Sequence, residues 1–242
     1  MKAMIFAAGL GTRLRPLTDE RPKALVEIGG MTLLEAAIRR LKGFGCREIL
    51  VNIHHFGEQI LSFLASHQNF GISITISDER DKLLDTGGGL KKAAWFFQDA
   101  PFLVHNVDVL SDINLQALYA AHQQSGAIAT LAVRRRSSSR YLLFDTTNRL
   151  AGWRHAATGR ERICREVPEY LPLAFSGIYV LSPEIFRYMP GSEVFSIIDV
   201  LLEAGRDRQV MAFQHDDSLW LDVGKPAALP QAQELIKGIP LE

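Results

Sequence analysis

The chain opens with Lys2-Ala3-Met4-Ile5-Phe6-Ala7-Ala8-Gly9-Leu10-Gly11-Thr12-Arg13-Leu14-Arg15-Pro16-Leu17-Thr18. Ala3 to Ala7 reads as a buried strand that runs into a glycine turn. The next periodic segment, Thr32 to Phe44, places Leu33, Leu34, Ala37, Ile38, Leu41 and Phe44 on one stripe. A Thr32…Glu35 pair opens it as a capping box. Strands are expected at 48–53, 72–76, 101–105 and 128–133, alternating with helices at 58–66, 90–97 and 115–124. The helix at 90–97 is expected to be entered through a turn at Gly87-Gly88-Gly89. This βαβαβ rhythm predicts a mainly parallel sheet with helices on both faces.

The pattern changes after residue 133. Segments 141–145 and 149–153 flank Thr146-Thr147-Asn148 and read as an antiparallel hairpin, followed by a polar stretch over 154–172. Strands at 174–181 and 209–214, a short helix after Ser182-Pro183, and helices at 197–204 and 227–236 complete the chain. The expectation is one α/β domain over residues 1–242 with an inserted antiparallel lobe.

Composition narrows the function. The 242 residues hold 27 Lys+Arg and 27 Asp+Glu, a zero net charge that argues against a dedicated nucleic-acid binder. With 47% apolar and 22% charged residues the chain has ordinary globular composition. Two distant cysteines, Cys46 and Cys164, form neither a disulfide framework nor a cysteine zinc site and suit a reducing cytoplasm. The apolar start stops at Gly9 before Arg13 and Arg15, so no secretory signal is expected. No run approaches the ~18 apolar residues that span a membrane.

The chemistry concentrates near the start. Glycines after a first strand let main-chain N–H groups approach an anion. Leu14 stands where a dinucleotide fingerprint has its third glycine, and there is no Gly-Lys-Ser/Thr of a P-loop. Gly9 and Gly11 with Arg13 and Lys23 make a different phosphate cradle, within a stretch of 25 residues carrying five basic side chains against two acidic ones. Later in the chain Asp108 follows a strand and Asp222 lies in a separate loop. Ligands of parallel α/β sheets collect at the carboxyl ends of strands, where two such aspartates can converge.

The run Gly9-Leu10-Gly11-Thr12-Arg13-Leu14-Arg15-Pro16-Leu17-Thr18, followed by Pro22-Lys23, closely resembles the signature of sugar-1-phosphate nucleotidyltransferases. Further motifs fall in that family's order: Leu84-Asp85-Thr86-Gly87-Gly88-Gly89, His105-Asn106-Val107-Asp108-Val109, Phe175-Ser176-Gly177-Ile178 and Trp220-Leu221-Asp222-Val223-Gly224. The resemblance implies a Rossmann-like, GT-A-like three-layer sandwich with a mixed, mainly parallel sheet. It implies an NTP (UTP or GTP) and a sugar 1-phosphate as substrates and Mg²⁺ as cofactor, held by Asp108 and Asp222. It also implies catalytic roles for Arg13, Lys23 and Asp108, and nucleotide contacts around Ala8, Gly9, Gly11, Thr12 and Asn106. Thr86, Gly87 and Gly88 would meet the base and ribose. Ser176 and Gly177 would line the sugar pocket or simply form a strand bulge. Asn52, ending strand 48–53, is a sugar or metal-shell candidate or a strand-end cap.

Two departures stand out. Val107 occupies a position where such enzymes carry glycine, and a β-branched residue resists the angles glycine allows. The Glu-Lys-Pro sugar motif of larger relatives has only a loose counterpart in Glu166-Val167-Pro168-Glu169. The run Arg134-Arg135-Arg136-Ser137-Ser138-Ser139-Arg140 reads as a solvated strand end rather than a nucleic-acid surface, with Arg140 a candidate phosphate contact. Two competing classes remain: a non-catalytic nucleotide-sugar binding module, and a glycosyltransferase, whose Asp-x-Asp metal motif is absent because Asn106 precedes Val107-Asp108.

Overall fold

A computed structural model describes residues 1–241, and its chain divides into two compact units. The first holds Met1–Leu83, Val104–Ile113 and the chain from Ser218 onward; the second holds Leu84–Leu103 and Asn114–Asp217.

In the first unit, β1 (Lys2–Phe6) is followed by a small antiparallel ribbon, β2 (Glu27–Ile28) with β3 (Met31–Thr32). Helix α1 (Leu33–Gly43) starts where expected, the Thr32 hydroxyl accepting the Glu35 N–H at 3.1 Å. It buries Leu33, Leu34, Ile38 and Leu41 completely. β4 (Glu48–Ile53), α2 (Gly57–Ser66) and β5 (Ser73–Asp78) follow. β1 runs parallel to β4 and β4 to β5, with Ile5 beside Val51 and Val51 beside Ile76. Ala3, Met4 and Ile5 are wholly buried, as a strand covered on both faces requires.

The second unit contributes α3 (Asp85–Lys92). The chain then re-enters the first unit within β6 (Phe102–Asn106), which lies beside β1, and continues into β7 (Val109–Ser111). Back in the second unit come α4 (Leu115–Ser125), β8 (Ala129–Arg134), β9 (Arg140–Phe144), β10 (Leu150–His155), β11 (Glu161–Ile163), β12 (Leu171–Leu181), α5 (Ile197–Ala204) and β13 (Val210–Gln214). The strands β11-β10-β9-β12 pair antiparallel in that order, β12 also pairs antiparallel with β8, and β13 joins β8 in parallel. The hairpin turn between β9 and β10 is closed by Asp145, whose Oδ1 accepts from the N–H groups of Thr147 and Arg149 at 2.8 and 3.0 Å. β14 (Trp220–Asp222) and α6 (Leu229–Leu235) complete the first unit. This is the expected α/β class with a mixed sheet, its parallel strands mainly in the first unit and its antiparallel ones mainly in the second.

One expectation is overturned. Gly87, Gly88 and Gly89 do not form a turn before a helix over 90–97; they lie inside α3, and residues 94–96 form only a 3-10 turn. Helical glycine costs about 1 kcal/mol relative to alanine, so propensity alone points away from this. Packing decides it. A Cβ on Gly88 would stand 2.0 Å from the Glu193 carbonyl oxygen, and one on Gly87 would stand 2.4 Å from the Phe195 ring. The backbone of 193–195 lies against the helix, and only glycine admits it. The ribbons β2–β3 and β7–β14 and the strand β11 also went unpredicted, since two or three residues carry no readable period.

Gly88→Ala is expected to destabilise the protein by about 1–3 kcal/mol in urea unfolding, despite alanine's better helix propensity. Gly9→Ala, where no atom lies within 4 Å of the added Cβ, stays within about 0.5 kcal/mol of wild type.

Candidate active site

The first unit builds its site from the carboxyl end of β1. Gly11 adopts φ +66°, and its missing side chain leaves room for two neighbours: a Cβ there would stand 3.0 Å from both Lys23 Cβ and Thr18 Cγ2. The Thr18 hydroxyl donates to the Gly11 carbonyl at 2.9 Å, and the Leu14 N–H donates to it at 2.8 Å. Buried Leu14 pins the 3-10 turn Thr12–Leu14, leaving Thr12 and Arg13 exposed. Gly9 is exposed with open space beside it, as close approach of a ligand to the backbone requires.

Asn52 braces the base of this loop. Its Oδ1 accepts from the N–H groups of Ala7 and Ala8 at 2.7 and 3.3 Å, and its Nδ2 donates to Glu79 Oε1 at 2.8 Å. The Ala7 and Ala8 amides are both engaged by this side chain. Glu79, almost wholly buried at the end of β5, is a supporting residue that no sequence pattern signals.

Lys23 begins a 3-10 turn after the extended Pro22 and is 7% exposed. Its ammonium forms an ion pair with Asp108 Oδ2. Asp108 lies in the turn between β6 and β7, beside Asn106, whose carbonyl accepts from His105 Nδ1 at 2.8 Å. Burial pushes the His105 imidazole down to about 4, so it is neutral here. Val107 is buried, keeps out of the left-handed region and donates its N–H to the Phe6 carbonyl at 3.2 Å. Valine thus fits this turn without a left-handed backbone.

Asp222 ends β14, opposite Val109 in the antiparallel β7–β14 ribbon, and the Val223 N–H donates to the Asp108 carbonyl at 2.8 Å. Two aspartates 114 positions apart, one in the turn before β7 and one at the end of β14, are thus held at the same end of the ribbon. Gly224 completes the cluster: a Cβ there would stand 2.6 Å from Asp222 Oδ1 and 3.0 Å from Arg13 Nη2. Arg13 and Asp222 thus both lie close to that glycine, as the stem of Lys23 lies close to Gly11. Thr18 and Gly224 have roles that the motif spacing did not reveal.

The carboxylates of Asp108 and Asp222 offer the hard oxygen donors that Mg²⁺ prefers, and that ion normally takes few protein ligands alongside water and phosphate oxygens. Among the described residues no cluster of three or more His, Cys, Asp or Glu side chains forms a self-sufficient metal cage. The residues present fit a cation shared with a substrate.

The remaining candidates lie in the second unit. The N–H groups of Gly87 and Gly88 both donate to the Phe195 carbonyl, at 2.9 and 3.2 Å, and the Thr86 hydroxyl accepts from the Ile197 N–H at 3.0 Å. Ser176 is buried with its Oγ 2.6 Å from His215 Nε2, and Gly177 has φ +75°. Both fall where the β12–β8 register shifts between Phe175 and Tyr179.

A triphosphate-sized anion is what such a glycine loop with a lysine, an arginine and two carboxylates can hold and react. The chain matches the family described as nucleotidyl transferase over residues 2–238, and it belongs to that family. It is 33% identical to N-acetylmuramate alpha-1-phosphate uridylyltransferase of Caulobacter vibrioides, over 93% of each chain. It is 34% identical to the protein of the same name from Neisseria meningitidis serogroup B, over 97% of this chain and 98% of that one. The fold is shared with the inositol-1-phosphate CTP transferase from T. maritima, at TM-score 0.78 and 19% identity over 99% of this chain and 97% of that one. No helix among the described residues is long and apolar enough to cross a membrane.

Asn52→Ala strips the Ala7 and Ala8 amides and the Glu79 carboxylate of their partner. A loss of about 3 kcal/mol in urea unfolding is expected, because buried polar groups left unmatched cost about 1–3 kcal/mol each. A change below about 0.5 kcal/mol would contradict the bracing role.

Proposed function

We propose that this enzyme transfers UMP from UTP to a sugar 1-phosphate, forming a UDP-sugar and pyrophosphate, with Mg²⁺ as cofactor. The observation that carries the reading is the pairing of Lys23, whose stem packs against Gly11, with Asp108, while Arg13 and Asp222 both lie close to Gly224. The names of the two bacterial relatives, which align along nearly their whole length, favour uridine over guanosine and support a sugar 1-phosphate acceptor.

No protein nucleophile is needed. An oxygen of the sugar's phosphate attacks the α-phosphorus of the NTP, the new P–O bond forms in line, and the bond to the β-phosphate oxygen breaks to release pyrophosphate. Both reactants are polyanions, so catalysis rests on neutralising charge and fixing geometry. Lys23, desolvated and held by Asp108, is assigned to the α-phosphate, where charge builds. Arg13, with the amides of Gly9 and Gly11, holds the β- and γ-phosphates and the departing pyrophosphate. Asp108 and Asp222 would hold Mg²⁺, which when bound neutralises phosphate charge.

Lys23→Ala and Asp222→Asn are expected to lower turnover by about 10²–10³ while leaving a folded protein. Pyrophosphate release from UTP and N-acetylmuramate 1-phosphate, with and without Mg²⁺, measures this; near-wild-type release from either variant would overturn its assignment.

A further inference from the structure

Within the first unit, Asp108 has two claimants. Its carboxylate is paired with the Lys23 ammonium, and it is also one of the two oxygen donors assigned to a divalent cation. The same ammonium is assigned to the α-phosphate of the nucleotide. These assignments compete. While the ammonium rests on Asp108 it is not on a phosphate, and a cation arriving at that carboxylate meets a positive charge already in place.

The backbone on both sides of the pair is fixed. The Lys23 carbonyl accepts the Val26 N–H at 3.1 Å, and the Asp108 carbonyl accepts the Val223 N–H at 2.8 Å. The root of the lysine side chain is confined as well, since Gly11 leaves room for its Cβ and no more. A change of partner therefore falls to the outer carbons and ammonium of Lys23, which is buried against half-buried Asp108. Charge points the same way. Lys23 and Arg13 bring two positive charges to this cluster, and Asp108 and Asp222 bring two negative ones, so the four side chains sum to zero. A free dication gains no net attraction from such a set and is repelled by an ammonium on its own ligand. A triphosphate alters both conditions. It adds negative charge to the cluster and offers the ammonium a replacement partner.

We propose that Lys23 guards Asp108 against free divalent cations, so that the cation binds together with the nucleotide rather than before it. This rests on the Mg²⁺-dependent nucleotidyltransferase reading and gives Lys23 a second role within it. On nucleotide entry the ammonium passes from the carboxylate to the α-phosphate, and Asp108 becomes available as a metal ligand. Nucleotide and cation then strengthen each other's binding by the same factor, as linkage requires.

The probe is Mn²⁺, whose free ion is followed by electron paramagnetic resonance, titrated into the full chain without nucleotide. Lys23→Gln keeps an apolar stem and an N–H donor but removes the charge; Lys23→Met removes both. Each is expected to bind Mn²⁺ alone about tenfold or more tightly than wild type does. Lys237→Gln, at an exposed pair with Glu234 in the same unit, keeps the wild-type affinity. Asp222→Asn added to Lys23→Gln abolishes the gain. A second measurement needs no variant. Acetylation of Lys23 in wild type, read by mass spectrometry against exposed Lys237, is expected to stay unchanged on addition of Mn²⁺ alone. No gain in either lysine variant, a gain shared by Lys237→Gln, or a severalfold rise in Lys23 acetylation with Mn²⁺ alone would overturn the guard and leave the metal assignment standing. A gain that survives Asp222→Asn would overturn the guard and the Asp222 assignment together. Should no NTP and sugar 1-phosphate release pyrophosphate, the nucleotidyltransferase reading fails, and the Mn²⁺ titrations still decide the guard.

Discussion

The ion pair of buried Lys23 with half-buried Asp108 is the constraint around which the first unit is organised. A lysine 7% exposed is tolerated only with a partner, since removing one member of a buried pair strands the other charge. The pair ties the loop after β1 to the turn after β6, and that turn holds β14 through the Val223 N–H. Three separate chain segments thus converge on one charge contact. The ammonium is already stripped of much of its water and oriented, which is the state an electrostatic catalyst needs before substrate arrives.

Close approach is the second organising theme. Gly11 admits the stems of Lys23 and Thr18, Gly224 admits Asp222 and Arg13, and Gly87 and Gly88 admit the backbone of residues 193–195. In the first two cases the space left by a missing Cβ is filled by side chains of the candidate site. In the third it is filled by structure, the Phe195 carbonyl accepting both glycine amides at the start of α3. Glycines that look alike in a sequence therefore serve different ends, and only the neighbours tell them apart.

That distinction explains what the sequence reveals and what it hides. The longer elements of the parallel sheet are legible because apolar runs such as 3–7 and 48–53 and the stripe of α1 repeat with a clear period. The proposed phosphate loop is legible because Gly9, Gly11, Arg13 and Lys23 sit close together in the chain. The glycine helix is not, because helix propensity points the wrong way and the deciding contact comes from more than 100 residues later. The clasp of Asn52 on Glu79 and the approach of Arg13 and Asp222 to Gly224 depend on tertiary register, which no local pattern encodes. Val107 illustrates the converse: an unusual residue at a motif position is accommodated by ordinary strand-end backbone.

The central claim is direct transfer from nucleotide to sugar phosphate without a covalent enzyme intermediate. Incubation with UTP labelled at the α-phosphate and an accepted sugar 1-phosphate tests it most directly. The label is predicted to move wholly into the UDP-sugar, leaving pyrophosphate and protein unlabelled. Label retained on the protein, or released as UMP regardless of the sugar phosphate, would contradict it.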